Sequence, residues 1–161
     1  MRKVWDIPGG IHPAENKHQS NQLPITSAGI PDELILPLSQ HIGAPAKPIV
    51  AVGDKVLKGQ MIAQAKGFVS VPVHASSSGE VVAIEPRLIP HPSGMDAPCI
   101  VIKTDGNDQW IEHQGINDYS TVEKSVLLEH IRNAGIAGMG GAGFPAAVKL
   151  AGRDDKPINT L

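Results

Sequence analysis

Aromatic side chains are scarce: two Trp, two Phe and one Tyr stand among 161 residues. Any core must therefore be built from Val, Ile, Leu and Ala, and few rings are left on which nucleobases could stack. A basic excess is missing too. Fourteen Lys and Arg face sixteen Asp and Glu, a formal net charge of -2, so nothing neutralises a phosphate backbone and no nucleic acid is expected as a partner. Cysteine occurs once, as Cys99. That excludes an intramolecular disulfide, and it excludes a four-thiolate cluster held by this chain alone. No apolar run is long enough to span a bilayer. The opening MRKVWDIPGGIHP has no apolar segment of the signal-peptide kind and is broken early by Pro8, Gly9 and Gly10. The expectation is a cytoplasmic chain without a direct membrane span, tied to any membrane through a partner.

What is present supports a folded protein. Hydrophobic residues make up 41% and charged residues 19%, enough apolar material for one ordinary domain, or for one small domain and part of another. The first thirty residues are polar and interrupted by proline, with neither a helical nor an alternating period. They read as an extended arm (1–30) that lies on something. Among the seven histidines, His12 and His18 fall there, but no Cys, Asp or Glu stands beside them at ligand spacing, and no metal is expected.

From Glu33 to Thr104 the pattern is of short β-rich runs, ELILPL, PIVAV, MIAQA, FVSVPV, EVVAIE and CIVIK, separated by turn residues. Strands this short with turns this frequent predict a small sandwich or barrel. Pro37, Pro72 and Pro98 suit edges and bends rather than a central ladder. After Thr104 a polar linker (107–119) carries Trp110 and Ile111 as anchors. Ser120-x-x-Glu123 then reads as a capping box. Val122, Leu127, Leu128 and Ile131 fall on one helical face, and Gly135 suits a positive-φ stop, predicting a helix over 121–134.

That helix leads into GMGGAGFPAAVKL (138–150), whose first eight positions hold four glycines and end in a proline. Pro145 suits the first turn of a second helix. A glycine-rich loop feeding a helix offers bare main chain and free N–H groups to an anion or a flat ring, with Lys149 one turn further on. A flexible linker has the same composition. Two details favour the shaped loop: Phe-Pro is followed at once by a helix former, and a capped helix precedes it.

Two resemblances sharpen this reading. VGDKVLKGQMIA (52–63) and VPVHASSSGEVVAIEP (71–86) resemble the two halves of the biotinyl/lipoyl type of barrel-sandwich hybrid. In that comparison Gly53 and Gly59 supply positive-φ corners, Asp54 closes its turn through its carboxylate, and Gly79 serves the matching corner. Carrier domains of that type place the modified lysine in a Met-Lys-Met or Asp-Lys-Ala triplet. AQAKGFVSV has neither, so Lys66 is expected to be an ordinary surface lysine and the barrel a docking or spacer module.

GMGGAGFPAAVKL resembles the G-x-G-G-A-G-F-P-x-x-x-K motif of the flavin- and NADH-binding subunit of respiratory complex I. Together with GGIHP (9–13), HIGAP (41–45), HPSGMDAPCIVI (91–102) and IRNAGIAGMGGAGFP (131–145), it makes the chain similar to the RnfC family of the Rnf electron-transport complex. The resemblance implies a mainly β fold with α elements: a barrel-sandwich hybrid (31–106), then the start of a complex I flavin-subunit-like α/β nucleotide-binding domain (120–161). It implies a peripheral subunit on the cytoplasmic face of the bacterial inner membrane, whose partners are the other Rnf subunits and NADH. Gly138, Gly140, Gly141, Ala142 and Gly143 would approach FMN, Lys149 would pair with its phosphate, and Phe144 and Pro145 would fix the loop's exit. Two 4Fe-4S clusters are expected on cysteines that family members carry further along. The chain stops at KPINTL, where the family continues its nucleotide-binding domain, so these 161 residues are expected to form an amino-terminal part. Alone they are expected to hold FMN weakly or not at all and to lack NADH oxidation.

Overall fold

The computed structural model describes residues 9–11, 13–140 and 142–152. Seven strands form two antiparallel sheets. β1 (Glu33–Pro37), β7 (Asp96–Thr104), β6 (Gly79–Leu88) and β3 (Lys55–Val56) lie side by side in that order. β2 (Lys47–Pro48), β4 (Met61–Gln64) and β5 (Val73–His74) make the second sheet. Both sheets turn their apolar residues inward on one core, in which Ile62, Val81, Ile100 and Ile102 are fully buried beside Val56, Val73 and Ala75. Each fully buried aliphatic side chain contributes about 1.5–3 kcal/mol. The architecture is the barrel-sandwich hybrid that the resemblance implies, and it falls within the small sandwich or barrel that the turn spacing predicts.

The glycine corners divide into two kinds. Gly53 (φ 96°) and Gly59 (φ 81°) have the left-handed backbone expected of them. Asp54 closes its turn by accepting the Ala51 N–H at 2.8 Å. Gly79 differs: it opens β6, pairs with Val56 on one side and Thr104 on the other, and is absent from the positive-φ positions. Its missing Cβ is needed because one would stand 2.2 Å from the Lys103 carbonyl oxygen.

Three further expectations need correction. PIVAV and FVSVPV are strand only at Lys47–Pro48 and Val73–His74: Ile49 N–H still bonds Ile62 C=O, but Ala51 N–H is taken by the Asp54 carboxylate, and Pro72 has no donor to give. Pro98 lies in β7, a central strand. It is tolerated because β1 ends where Pro37 faces Cys99, and beyond that point β6 and β7 continue as a two-stranded ribbon in which Pro86 faces Pro98. The helix α1 runs Lys124–Asn133, not from 121. Asp118 accepts the Ser120 N–H at 2.9 Å and its hydroxyl at 2.6 Å, which closes a 3-10 turn at Tyr119–Thr121. Glu123 is left without a side-chain cap bond, so the capping box does not form.

Gly135 (φ 70°) ends α1 as expected, and α2 runs Ala146–Ala151. The linker is held to the barrel at its start. Lys58 N–H donates to Gln109 C=O at 2.8 Å, and Ile111 N–H donates to Lys58 C=O at 3.0 Å. Of the arm, residues 9–11 and 13–30 are described. All are exposed, and one 3-10 turn at Lys17–Gln19 interrupts the extended course. His12 lies outside the described residues, as do residues 153–161 of the expected nucleotide-binding region.

Candidate functional site

The glycine-rich stretch is a closed loop rather than a slack connector. Ala137 bridges Pro145 antiparallel. Gly138 N–H donates to Phe144 C=O at 2.8 Å, and Ala146 N–H donates to Ile136 C=O at 2.9 Å. These bonds tie the loop's neck. Pro145 is fully buried and sits just ahead of α2 rather than in its first turn. Because Ala146 N–H is already engaged and α2 has only six residues, the helix end contributes less to an anion site than the pattern suggests.

The predicted residues have unlike surroundings. No atom stands within 4 Å of the position a Cβ would take at Gly140. At Gly138 the corresponding point lies 3.3 Å from Lys149 Nζ, so Lys149 does reach back across the loop's neck. Its ammonium also lies 5.8 Å from the Phe144 ring centroid. Ala142 turns its carbonyl to the barrel and accepts Ile42 N–H at 2.9 Å. Gly143 (φ 64°) packs on the barrel as well: a Cβ there would meet His41 Cα at 3.3 Å and Gln40 O at 3.4 Å. Gly141 lies outside the described residues. The glycines therefore serve at least two purposes: open main chain at Gly140, and close approach to the barrel at Gly143.

Beside the loop lies an open groove of about 1090 Å³. It is lined by Gly138 and Met139 of the loop, by His41 and Ile42 of the barrel, and by Leu88 and His91 at the tip of the β6–β7 ribbon. Met139 is wholly exposed and Leu88 is 66% exposed, so the groove carries exposed apolar side chains beside its polar ones. On His91, Nδ1 accepts the Ser93 N–H at 3.2 Å. That places the ring proton on Nε2, a donor not used by Ser93. Sequence reasoning missed this barrel contribution. The motif HIGAP held a signal in Gly43, where φ is 111° and a Cβ would stand 2.1 Å from Val69 O, a mark of close packing between segments.

Lys66 is exposed, but its loop is not a free hairpin tip. Lys66 N–H donates to Ser70 Oγ at 3.0 Å, Ser70 Oγ donates to Ala44 C=O at 2.8 Å, and Arg132 of α1 donates to Phe68 C=O at 3.2 Å. A lysine on a loop folded back in this way is poorly placed to swing a prosthetic group. Cys99 is buried and its thiol is pushed up by that burial, which makes it a poor ligand. Among the described residues no group of three or more His, Cys, Asp or Glu is arranged to hold a metal ion, and no helix is long and apolar enough to cross a membrane.

Fold and loop together define a barrel-sandwich hybrid domain carrying a closed glycine loop on one flank. The family model described as the RnfC barrel sandwich hybrid domain matches residues 5–107. The chain belongs to that family. It is 55% identical over 148 residues to the C subunit of the ion-translocating oxidoreductase complex of Vibrio cholerae serotype O1, covering 92% of this chain and 19% of the relative. The protein of the same name from Klebsiella pneumoniae is 49% identical over 159 residues, covering 99% of this chain and 21% of the relative. One from Salmonella newport is 46% identical over the same length. The chain thus spans about a fifth of the length of the curated relatives it matches.

Proposed function

We propose that these residues form the barrel and the flavin-facing loop of an electron-transfer subunit in an ion-translocating oxidoreductase complex. The observation that carries the reading is main chain at Gly140 with nothing over it, in a loop whose neck is crossed by the Lys149 ammonium. A planar, anionic coenzyme such as FMN fits that pairing: bare peptide for the ring or phosphate, and a cation for the charge. Gly138, Gly140, Gly141, Ala142, Gly143 and Lys149 are the residues proposed to hold it. Bound there, FMN would accept hydride from NADH and release electrons singly toward iron–sulfur centres.

The chain's own part is to bind and orient. The tied neck fixes the loop's exit at Phe144 and Pro145, and Lys149 supplies a point charge that α2 keeps close to the loop. The two 4Fe-4S clusters of this reading are supplied outside these 161 residues. The subunit would sit peripherally on the cytoplasmic face of the bacterial inner membrane, held by the other subunits of the Rnf complex. Taken alone, the 161 residues would hold FMN weakly or not at all. The groove is open, and donors that water can reach gain little net free energy on meeting a ligand.

Gly140→Val in the full-length subunit tests this. The added side chain meets no atom of the fold within 4 Å at its Cβ, and Gly140 is not at positive φ, so the barrel is undisturbed while the space over the loop is filled. Flavin content is expected to drop about tenfold or more, a step of ~1.4 kcal/mol, with complex assembly intact. Unchanged flavin content would overturn the reading and leave the barrel as a docking module.

A further inference from the structure

A run of glycines is conformationally slack, and a coenzyme met by such a loop requires something else to fix it. The described structure contains that fixture in the barrel segment between β1 and β2. His41 Nε2 accepts the Val71 N–H at 3.1 Å. With that nitrogen an acceptor, the ring proton is on Nδ1, which lies 2.7 Å from the Ile42 carbonyl oxygen and donates to it. Both ring nitrogens are thus committed to main chain, one toward the barrel and one to the next residue. Ile42, held through its carbonyl, donates its own N–H to Ala142 C=O at 2.9 Å. Gly143 comes down on the same segment so closely that a Cβ would touch His41 Cα and Gln40 O. Just beyond, Ala44 N–H donates to Val69 C=O at 3.1 Å and anchors the far end of the segment. A relay of three hydrogen bonds therefore runs from Val71 through His41 and Ile42 to the loop.

We propose that His41 is a positioning residue for the glycine loop. Its imidazole fixes Ile42 so that the Ile42 N–H fastens the loop's Ala142 carbonyl, and this sets how Gly138 and Gly143 border the groove. The barrel then takes part in the cofactor site. This inference rests on the flavin reading of the loop, but the clamp itself can be measured without any flavin.

Three variants of the full-length subunit, compared with wild type, decide it: His41→Ala, His41→Gln and His41→Asn. Amide hydrogen exchange at Ile42 reports the clamp directly, while flavin content and the visible circular dichroism of bound flavin report its consequence. His41→Ala is expected to speed Ile42 exchange about tenfold and to lower flavin content by a similar factor, the scale of one hydrogen bond. Gln, whose amide oxygen reaches the Nε2 position, restores the Val71 bond and recovers part of both signals. Asn, which keeps only the donor to Ile42, recovers less. Should His41→Ala fail to fold, the ordering of Gln above Asn carries the test. Wild-type Ile42 protection in His41→Ala, or Gln no better than Asn, overturns the clamp. Protection lost with flavin unmoved overturns the positioning role, provided Gly140→Val still strips flavin. If Gly140→Val leaves flavin in place as well, the flavin reading fails, and Ile42 exchange alone then judges His41.

Discussion

Gly53 and Gly79 look interchangeable as turn glycines, yet the structure makes opposite demands on them, and alanine separates the two. At Gly53 the backbone is at φ 96° and no atom lies within 4 Å of a Cβ. Gly53→Ala therefore meets only the left-handed penalty of an L-residue, about 1 kcal/mol. At Gly79 the added carbon would stand 2.2 Å from Lys103 O and 2.9 Å from both the Lys103 carbonyl carbon and Ile102 Cγ2. Lys103 O belongs to the central strand β7, so the clash cannot be relieved by a side-chain rotation. Either β6 and β7 part or the register at Val56 opposite Gly79 is lost. Overpacking against main chain costs about 3 kcal/mol at the upper end of the usual range. For a chain of this size that corresponds to roughly 6–12 °C in Tm, against roughly 2–4 °C for Gly53→Ala. Thermal unfolding followed by far-ultraviolet circular dichroism on both variants is the assay. Equal shifts, or a larger one for Gly53→Ala, would refute the assignment of Gly79 to close strand contact.

Two other outcomes follow from titrating groups. Asp108 accepts from Lys58 Nζ at 2.5 Å and from Ser77 Oγ at 2.7 Å, and these bonds, Lys58 first, hold its carboxyl below the ordinary value. Its contribution is present above the ordinary 3.8 and is lost only as pH falls through the lowered value. Because Lys58 also lies 4.8 Å over the Trp110 ring, Asp108→Ala in a Trp5→Phe background is expected to shift Trp110 emission at neutral pH. An emission spectrum identical to that of the background protein counts against the latch. His74, half-buried, is pushed below the ordinary 6.5 by that burial, with the Asn133 main chain opposing. The unfolded chain thus binds the proton more readily, and stability contributed by neutral His74 is lost as pH falls from 6.5 through the lowered value. Proton NMR should show His74 titrating below 6.5, with the Ala134 and Gly135 amides moving alongside. A midpoint at or above 6.5 contradicts it.

The barrel was legible because its devices are local. Val-Gly-Asp carries its own turn chemistry: the positive φ of Gly53 and the Asp54 carboxylate on Ala51 N–H both lie within four consecutive residues. Strand ends were less legible. Whether Pro98 can occupy a central strand depends on where β1 stops, which no window around Pro98 contains. The capping box failed for a related reason: Ser120 N–H finds its acceptor in the Asp118 carboxylate two residues back rather than in the Glu123 carboxylate three residues ahead. Ser77 and Ser78 read as turn residues, but both are buried, bonding Asp108 and Asp105 across some thirty positions of chain.

The glycine loop shows where local reading stops. Its composition signals bare main chain, and at Gly140 that is what the structure has. Composition does not say which glycines face outward and which are bare because another segment presses on them. Gly143 belongs to the second kind through contacts with Gln40 and His41, about a hundred positions earlier. A substitution survey that treated all four glycines as ligand contacts would thus misread Gly143→Ala, whose first effect is on the loop's seat against the barrel. Among the described loop glycines, only Gly140, free of both positive φ and close neighbours, reports on what occupies the space over the loop.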